Sequence, residues 1–311
     1  MTECERLISN GTFTSDFFKP EVRCDFLVEE KRKKIWAVEI DLLIQFDKVC
    51  QKHGLRYFLI GGSLLGAVRH KGFIPWDDDV DVAMPRKDYN ELLKCGADFN
   101  APYFLQTPYS DPGYYFAFSR LRNSRTLYLS KVFQCQKINH GIPLDIFPLD
   151  DVIRGDESRD RFDEIMGGII NNSTFMRMSN PHLDQRNVER VRAYPGGDPL
   201  QRFELVECKS ARDAGNPEAR DVWFPSAGVY GYDRSIFPKS VFESSIVGSF
   251  EGFSFPIPAQ YDKYLIIAFG DYMKLPPEEE QIARHDIVFI DLEHSYKQYR
   301  GIKYLVNSDK K

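Results

Sequence analysis

The longest regular pattern in the chain runs from Glu29 to His53. There Ile35, Glu39, Leu42, Phe46 and Val49 recur at spacings of three and four, and all but Glu39 are apolar. That period predicts an amphipathic helix, ended by Gly54 in the position that favours a left-handed residue. Arg56 to Ile60 is a short, aromatic-rich run of strand length that breaks at Gly61-Gly62-Ser63, and Leu64 to Arg69 predicts one or two helical turns. After a turn at Gly72 to Trp76, residues Asp79 to Met84 alternate polar and apolar, the period of a strand with Val80 and Val82 facing the core. Pro85 suits the first position of a following helix whose inner face would be Tyr89, Leu92 and Leu93.

Further strands are expected over Tyr103–Gln106, Tyr114–Arg122 and Ile142–Leu149, with a turn at Asn123-Ser124. Residues 1–28 read as an irregular surface segment. From Asp156 to about Arg212 the pattern is helical and polar, with loops around Asn180-Pro181 and Tyr194 to Gly197. Phe250 to Pro256 reads as a hairpin, Tyr261 to Phe269 as a helix, and Pro276-Pro277 as the start of an extended tail.

Composition narrows the function classes. The 311 residues carry Lys+Arg 41 against Asp+Glu 46, a net charge of −5, without a basic block long enough to track a nucleic-acid backbone. Nucleic acid is therefore not the expected partner. The most apolar stretch, Tyr57 to Val68, is interrupted by three glycines and a serine and falls far short of the ~20 residues of a membrane span. The N-terminus lacks the basic start and apolar run of a signal peptide. The six cysteines form no C-x-x-C pair, which points to reduced thiols in a cytoplasmic setting rather than to zinc or disulfides.

The richest chemistry lies in Trp76-Asp-Asp-Asp-Val-Asp-Val82. Four carboxylates within five residues repel one another unless solvent or a cation neutralises them. On a strand, Asp79 and Asp81 would share a face with Cα atoms ~6.5 Å apart, a spacing that can converge on a hard cation such as Mg²⁺. A calcium-binding EF-hand loop is rejected, because its sixth and twelfth positions hold Val82 and Asp88 instead of Gly and Glu. The alternative is a solvated acidic edge. Upstream, Gly62 and Ser63 sit between a strand and a helix, where backbone N–H groups and a hydroxyl can receive phosphate, although Gly-Gly-Ser is equally a tight turn. Asp145 is the lone acid within the apolar strand Ile142–Leu149, and a charge there needs a partner or a metal. Arg120 and Arg122 alternate on one strand face and could grip phosphate oxygens, or serve as ordinary ion-pair residues. His140 and His285 read as structural histidines.

Taken together, Gly-Ser after one strand, Asp-x-Asp on the next and a later Asp are similar to the nucleotidyltransferase fold. The stretch Gly61-Gly-Ser-Leu-Leu-Gly-Ala-Val-Arg-His-Lys-Gly-Phe-Ile-Pro-Trp-Asp-Asp-Asp-Val-Asp-Val-Ala-Met-Pro85 closely resembles the LicD family of phosphorylcholine transferases. His140-Gly-Ile-Pro-Leu-Asp-Ile-Phe-Pro-Leu-Asp150 resembles that family's second signature. Phe250-Glu-Gly, the Tyr261-Asp-Lys-Tyr-Leu helix and Gly270-Asp-Tyr-Met-Lys-Leu-Pro-Pro277 resemble its C-terminal one.

The fold expected is α/β: a nucleotidyltransferase-like mixed sheet flanked by helices, with a helical insertion. Residues 29–150 would form the catalytic core and 151–225 the insertion or subdomain, with 226–311 completing the same domain. The resemblance implies metal-dependent transfer of phosphocholine from CDP-choline to a hydroxyl of a cell-surface polysaccharide or lipid-linked glycan precursor, as in lipopolysaccharide or teichoic acid modification. The enzyme would be cytoplasmic, with peripheral membrane association left open. Asp79, Asp81 and Asp145 would be both catalytic and metal-binding with Mg²⁺ or Mn²⁺. Gly62, Ser63, Arg120 and Arg122 would bind substrate. Two alternatives stay open: a nucleotidyltransferase leaving NMP on its acceptor, and an inactive homologue that binds a nucleotide or glycan. The donor head group, the acceptor and the role of residues 156–225 are not written in these motifs.

Overall fold

The computed structural model describes residues 2–178, 198–225, 231–283, 285 and 287–306. The expected loops around Asn180-Pro181 and Tyr194–Gly197 fall outside the described residues. The N-terminal segment is more ordered than its sequence suggests. It forms helix α1 (Glu3–Ser9), capped by Thr2 with a reciprocal bond from Glu5, and a hairpin of β1 (Glu21–Arg23) and β2 (Phe26–Val28). The long periodic stretch is helix α2 (Glu30–His53), closed by Gly54 with φ 64°. Between Trp36 and Leu43 every residue of α2 is buried, because the N-terminal segment covers the face that the sheet does not. Arg6 of α1 reaches across to Asp41 at 2.6 Å.

The sheet is mixed and has seven strands. Its centre is β8 (Ile142–Val152), which runs parallel to β4 (Asp81–Pro85) on one side and antiparallel to β6 (Ser119–Asn123) on the other. Beyond β4 lies the two-residue β3 (Phe58–Leu59), and beyond β6 lies β5 (Tyr103–Gln106). Helix α3 (Gly61–Arg69) follows β3, and α4 (Arg86–Leu92) follows β4. Pro85 caps α4 from outside rather than opening it. Tyr89 and Leu92 are buried as expected, but Leu93 follows the last helical residue and is exposed.

The strand expected from Tyr114 begins only at Ser119; Tyr114, Phe116 and Phe118 instead pack as a ring cluster with Phe133. The short strand β7 (Leu127–Ser130) has no sequence-level counterpart in the reading above. Helices α5 (Asp156–Met178) and α6 (Pro199–Ser210) pack on each other through Phe162, Ile165, Phe203 and Val206. Strands β9 (Asp221–Trp223) and β10 (Ile236–Pro238) then rejoin the same sheet along the far half of β8. A buried network fastens the helical pair to the core: Asp150 accepts two bonds from Arg86 and one from Ser210, while Arg86 also reaches Glu207 of α6.

The hairpin of β11 (Ser245–Phe250) and β12 (Phe253–Pro258) and helix α7 (Tyr261–Phe269) follow as expected. The tail after Pro277 is not simply extended. It returns as β13 (Ile287–Asp291), which pairs antiparallel with β7. Among the described residues, no helix is long and apolar enough to cross a membrane.

Candidate functional site

Register builds the site. Asp81 opens β4 directly opposite Asp145 of β8, and Asp145 lies directly opposite Arg120 of β6. One row across three strands therefore reads Asp–Asp–Arg, although 64 residues separate the two acids in the chain. Arg120 grips Asp145 with two bonds of 2.7 and 2.8 Å. Four rings, Tyr114, Phe116, Phe118 and Phe133, surround its guanidinium at 5.2–5.9 Å and fix its place. Burial disfavours the charged guanidinium, but Asp145 outweighs that and raises its pKa further.

Two glycines bring the remaining acids against the start of α3. Gly61 has φ 54°, and a Cβ there would meet Asp81 Oδ2 at 3.1 Å; a Cβ on Gly62 would meet Asp77 Oδ2 at 2.6 Å. Both carboxylates thus lie close to the positive end of the helix dipole. The Gly61 N–H donates to the Tyr264 hydroxyl at 3.0 Å. Ser63 is buried, and its hydroxyl accepts the Asp81 N–H at 2.8 Å, fastening the first residue of β4.

The loop before the acids is held from three sides. Arg32 and the Trp36 indole of α2 donate to the Asp77 carbonyl at 2.8 and 3.0 Å. Glu251, paired with Arg23, accepts the Phe73 N–H at 3.0 Å. Trp36 stacks on Phe73 with centroids 4.6 Å apart. The residues between β3 and β4 are therefore placed by α2, both hairpins and α3 together.

Burial first, and then crowding, raises the acids' affinity for protons. Burial and then Asp81 push Asp79 up to about 7. Burial and then Asp145 push Asp81 up to about 8. Asp77 is raised well above the usual carboxylate range by burial and by Asp79. Beneath them on α2, Glu39 is fully buried, and neither of its carboxylate oxygens has a hydrogen-bond partner. Burial, followed by Asp78 and Asp79, raises it too.

Two of these groups escaped the sequence reading, and a third was undervalued. Alternation puts Asp77 on the face of Asp79 and Asp81 but outside the chosen pair, and its carboxylate sits in the cluster beside Gly62. Glu39 carried a visible signal, being the one polar member of the apolar period of α2. His285 carried none. From the returning tail its Nδ1 lies 2.8 Å from Asp78 Oδ1 and its Nε2 3.2 Å from Asp79 Oδ2. Burial opposes charge on the ring, but these carboxylates hold its pKa at about 10.

Arg122, grouped with Arg120 by alternation, has a different setting. It is buried and donates to Gln106 Oε1 and to the Gly141 carbonyl, both at 2.7 Å. Its register partner on β8 is Pro143, two residues from Asp145. These contacts brace β5, β6 and the start of β8.

Residues 54–159 match the LicD/FKTN/FKRP nucleotidyltransferase domain. The lipopolysaccharide cholinephosphotransferase LicD of Haemophilus influenzae is 27% identical over 274 residues, which cover 79% of this chain and 92% of that protein. The ribitol 5-phosphate transferase FKRP of Homo sapiens is 55% identical over 40 residues, 13% of this chain and 8% of that protein. An uncharacterized protein of Rickettsia prowazekii is 49% identical over 48 residues, 15% of this chain and 18% of that protein. The resemblance to the LicD family stands on these matches, and their names point to phosphate-group transferases.

Proposed function

We propose that the protein transfers a phosphate-linked group, phosphocholine in the first instance, from a nucleotide-diphosphate donor such as CDP-choline to a hydroxyl of a cell-surface polysaccharide or lipid-linked glycan precursor, and that it does so in the cytoplasm. The observation that carries this reading is the register that sets Asp81 against Asp145, next to the glycine-lined start of α3. The likeness to a cholinephosphotransferase over most of the chain supports it.

A divalent cation fits this donor set. The acids offer hard oxygens of the kind Mg²⁺ and Mn²⁺ take, and Glu39 below them has two buried oxygens with no hydrogen-bond partner. Asp79 and Asp81 would hold the ion, with Asp145 as third ligand or as base for the acceptor hydroxyl. When bound, the ion would neutralise charge on the donor phosphates and polarise the phosphorus under attack.

The chain's own residues would do the rest. The start of α3 at Gly62 and Ser63 would receive the donor phosphates, and Arg120, held by Asp145, would screen charge that develops on the phosphoryl oxygens. The acceptor oxygen attacks the phosphorus that carries choline. The bond to the bridging oxygen breaks, CMP departs, and the hydroxyl proton passes to a carboxylate. Arg120 already occupies both carboxylate oxygens of Asp145 with hydrogen bonds, which favours the ligand role over that of a base. We assign Arg122 to bracing the strands rather than to substrate. We also retain 29–150 as the catalytic core, with 151–225 inserted and 226–311 completing it.

Product analysis tests this reading. Purified enzyme with CDP-choline and Mg²⁺ should release CMP, whereas pyrophosphate from a nucleoside triphosphate would favour NMP transfer. Binding without turnover for every donor would favour an inactive homologue. Asp81→Asn should abolish turnover while leaving the melting temperature unchanged or higher, because it relieves repulsion among crowded like charges.

A further inference from the structure

Far from the acids in the fold, the C-terminal end of α2 meets the segment that follows α4. His53 is the last residue of α2, and its Nε2 lies 2.6 Å from Asp98 Oδ2. Cys95 stands beside them, and the imidazole nitrogen, the thiol sulfur and the carboxylate oxygen all lie within 4.8 Å of one another. We infer that His53, Cys95 and Asp98 form a binding site for a Zn²⁺-class ion, separate from the carboxylate cluster and built to clamp α2 to residues 95–98.

The donor set selects the metal. One imidazole, one thiolate and one carboxylate suit Zn²⁺ or its surrogate Co²⁺, whereas Mg²⁺ takes oxygens. Around a tetrahedral ion with bonds of about 2.0–2.3 Å, ligand atoms stand roughly 3.3–3.7 Å apart. The pocket needs only a small opening of the His53–Asp98 contact and a small approach of the sulfur. Three protein ligands leave the fourth position to water.

Each ligand is already arranged for the task. Cys95 is buried at 8% exposure, and its sulfur donates to the Glu91 carbonyl at 3.3 Å, so the side chain has a fixed rotamer. Its burial, with Asp98 and then Glu91 nearby, raises the thiol's pKa and keeps it protonated while no ion is bound. Coordination displaces that proton to solvent, since a metal-bound thiol is deprotonated outright. His53 is exposed on its outer side, which gives the ion a route in. Lys52 also pairs with Asp98, on the oxygen that does not face the imidazole. It competes for the carboxylate, and it also offsets the charge that the thiolate brings.

No cysteine spacing announced this site, because its ligands come from the end of one helix and from a loop that lies more than forty residues away. The test uses the full chain stripped with chelator and kept in excess Mg²⁺, so that oxygen-rich sites are filled. Titrated Co²⁺ should give one equivalent of thiolate-to-cobalt charge-transfer absorption, bleached by Zn²⁺. Cys95→Ser should abolish that band. Cys24→Ser, which removes the sulfur 3.7 Å from His70, should leave it intact. His53→Gln, at an exposed position that does not endanger the fold, should weaken Zn²⁺ binding more than tenfold. Lys52→Ala should tighten it by up to about fivefold, the size of a surface ion pair. Zn²⁺ should raise the melting temperature of the native chain and not that of His53→Gln. Absence of the band, its survival in Cys95→Ser, or equal Zn²⁺ affinity in His53→Gln would each overturn the assignment.

Discussion

Gly66→Ala probes how the fold places the acids without touching any of them. Gly66 lies in the middle of α3, and a Cβ there would sit 2.3 Å from the Gly72 carbonyl oxygen and 3.4 Å from the Ile74 nitrogen. Ordinary contact begins near 3.4 Å, so backbone at Gly72 must retreat by about 1 Å. That backbone cannot simply swing away. The Gly72 N–H bonds back to the Gly66 carbonyl at 3.3 Å, and Glu251 holds Phe73 next in line. Alanine gains about 0.5–1 kcal/mol of helix propensity over glycine, but overpacking of this kind costs about 1–3 kcal/mol. Net destabilisation of about 1 kcal/mol follows, a fall of a few degrees in melting temperature. Activity should suffer more, because the displaced loop runs directly into Asp77, and a 1 Å misplacement at a reacting centre can cost on the order of a hundredfold in rate. Gly155→Ala is the control, since a Cβ there meets nothing within 4 Å. Thermal melts and donor turnover on both variants decide it. Wild-type turnover in Gly66→Ala would refute the claim that the α3–loop contact positions the acids.

Three further outcomes follow from buried charges. Asp150→Ala should destabilise the fold by about 3–5 kcal/mol in urea unfolding, because Arg86 and Ser210 lose their common acceptor in a fully buried site. Asp145→Asn should lower kcat strongly, and it should also cost about 2–3 kcal/mol of stability by leaving Arg120 unpaired among aromatic rings; unchanged stability would mean that the pair is dispensable. His140 is buried and its pKa is lowered from 6.5 to about 3, chiefly by burial. Below about pH 6.5 the unfolded chain therefore binds a proton that the folded chain refuses, and stability falls with falling pH by up to about 1.4 kcal/mol per unit. His140→Gln should flatten that slope between about pH 6.5 and 5 in urea unfolding, and an identical slope in both proteins would remove His140 as its cause.

The sequence carried the parts of this molecule that rest on local periodicity. The span of α2, the strand Tyr103–Gln106 and the helix Tyr261–Phe269 follow from pattern alone, because their apolar faces repeat at the period of the element. Elements that depend on distant partners were not legible. β7 is four residues long and exists through pairing with β13, about 160 residues later. The strand expected from Tyr114 fails at its start because those aromatics serve as walls around Arg120 rather than as a sheet face. The same division holds at the site. Asp81 and Asp145 stood out as acids among apolar neighbours, while the tertiary position of His285 had no local correlate.

The neutralisation of the acids is uneven, and the unevenness has a direction. Asp145 has Arg120, and Asp78 and Asp79 share His285. Asp77 shares a hydrogen bond with Asp79 beside the start of α3, and Asp81 has that helix start, which offers partial charges only. Among the described residues, no cation pairs directly with Asp81, and Glu39 has neither a cation nor a hydrogen bond. Burial raises Glu39 well above the usual carboxylate range, so the missing positive partner is at Asp81, on which Arg120 and His285 act without a direct pair. A cation arriving from solvent gains most at Asp81. Because His285 already sits on Asp79, such a cation must share that carboxylate with the ring or displace it. The fold thus supplies two positive groups of its own at the edges of the cluster and leaves the middle short of one. An arrangement of that kind is costly in the free protein, and it makes sense where bound ion and donor phosphates complete the charge balance together.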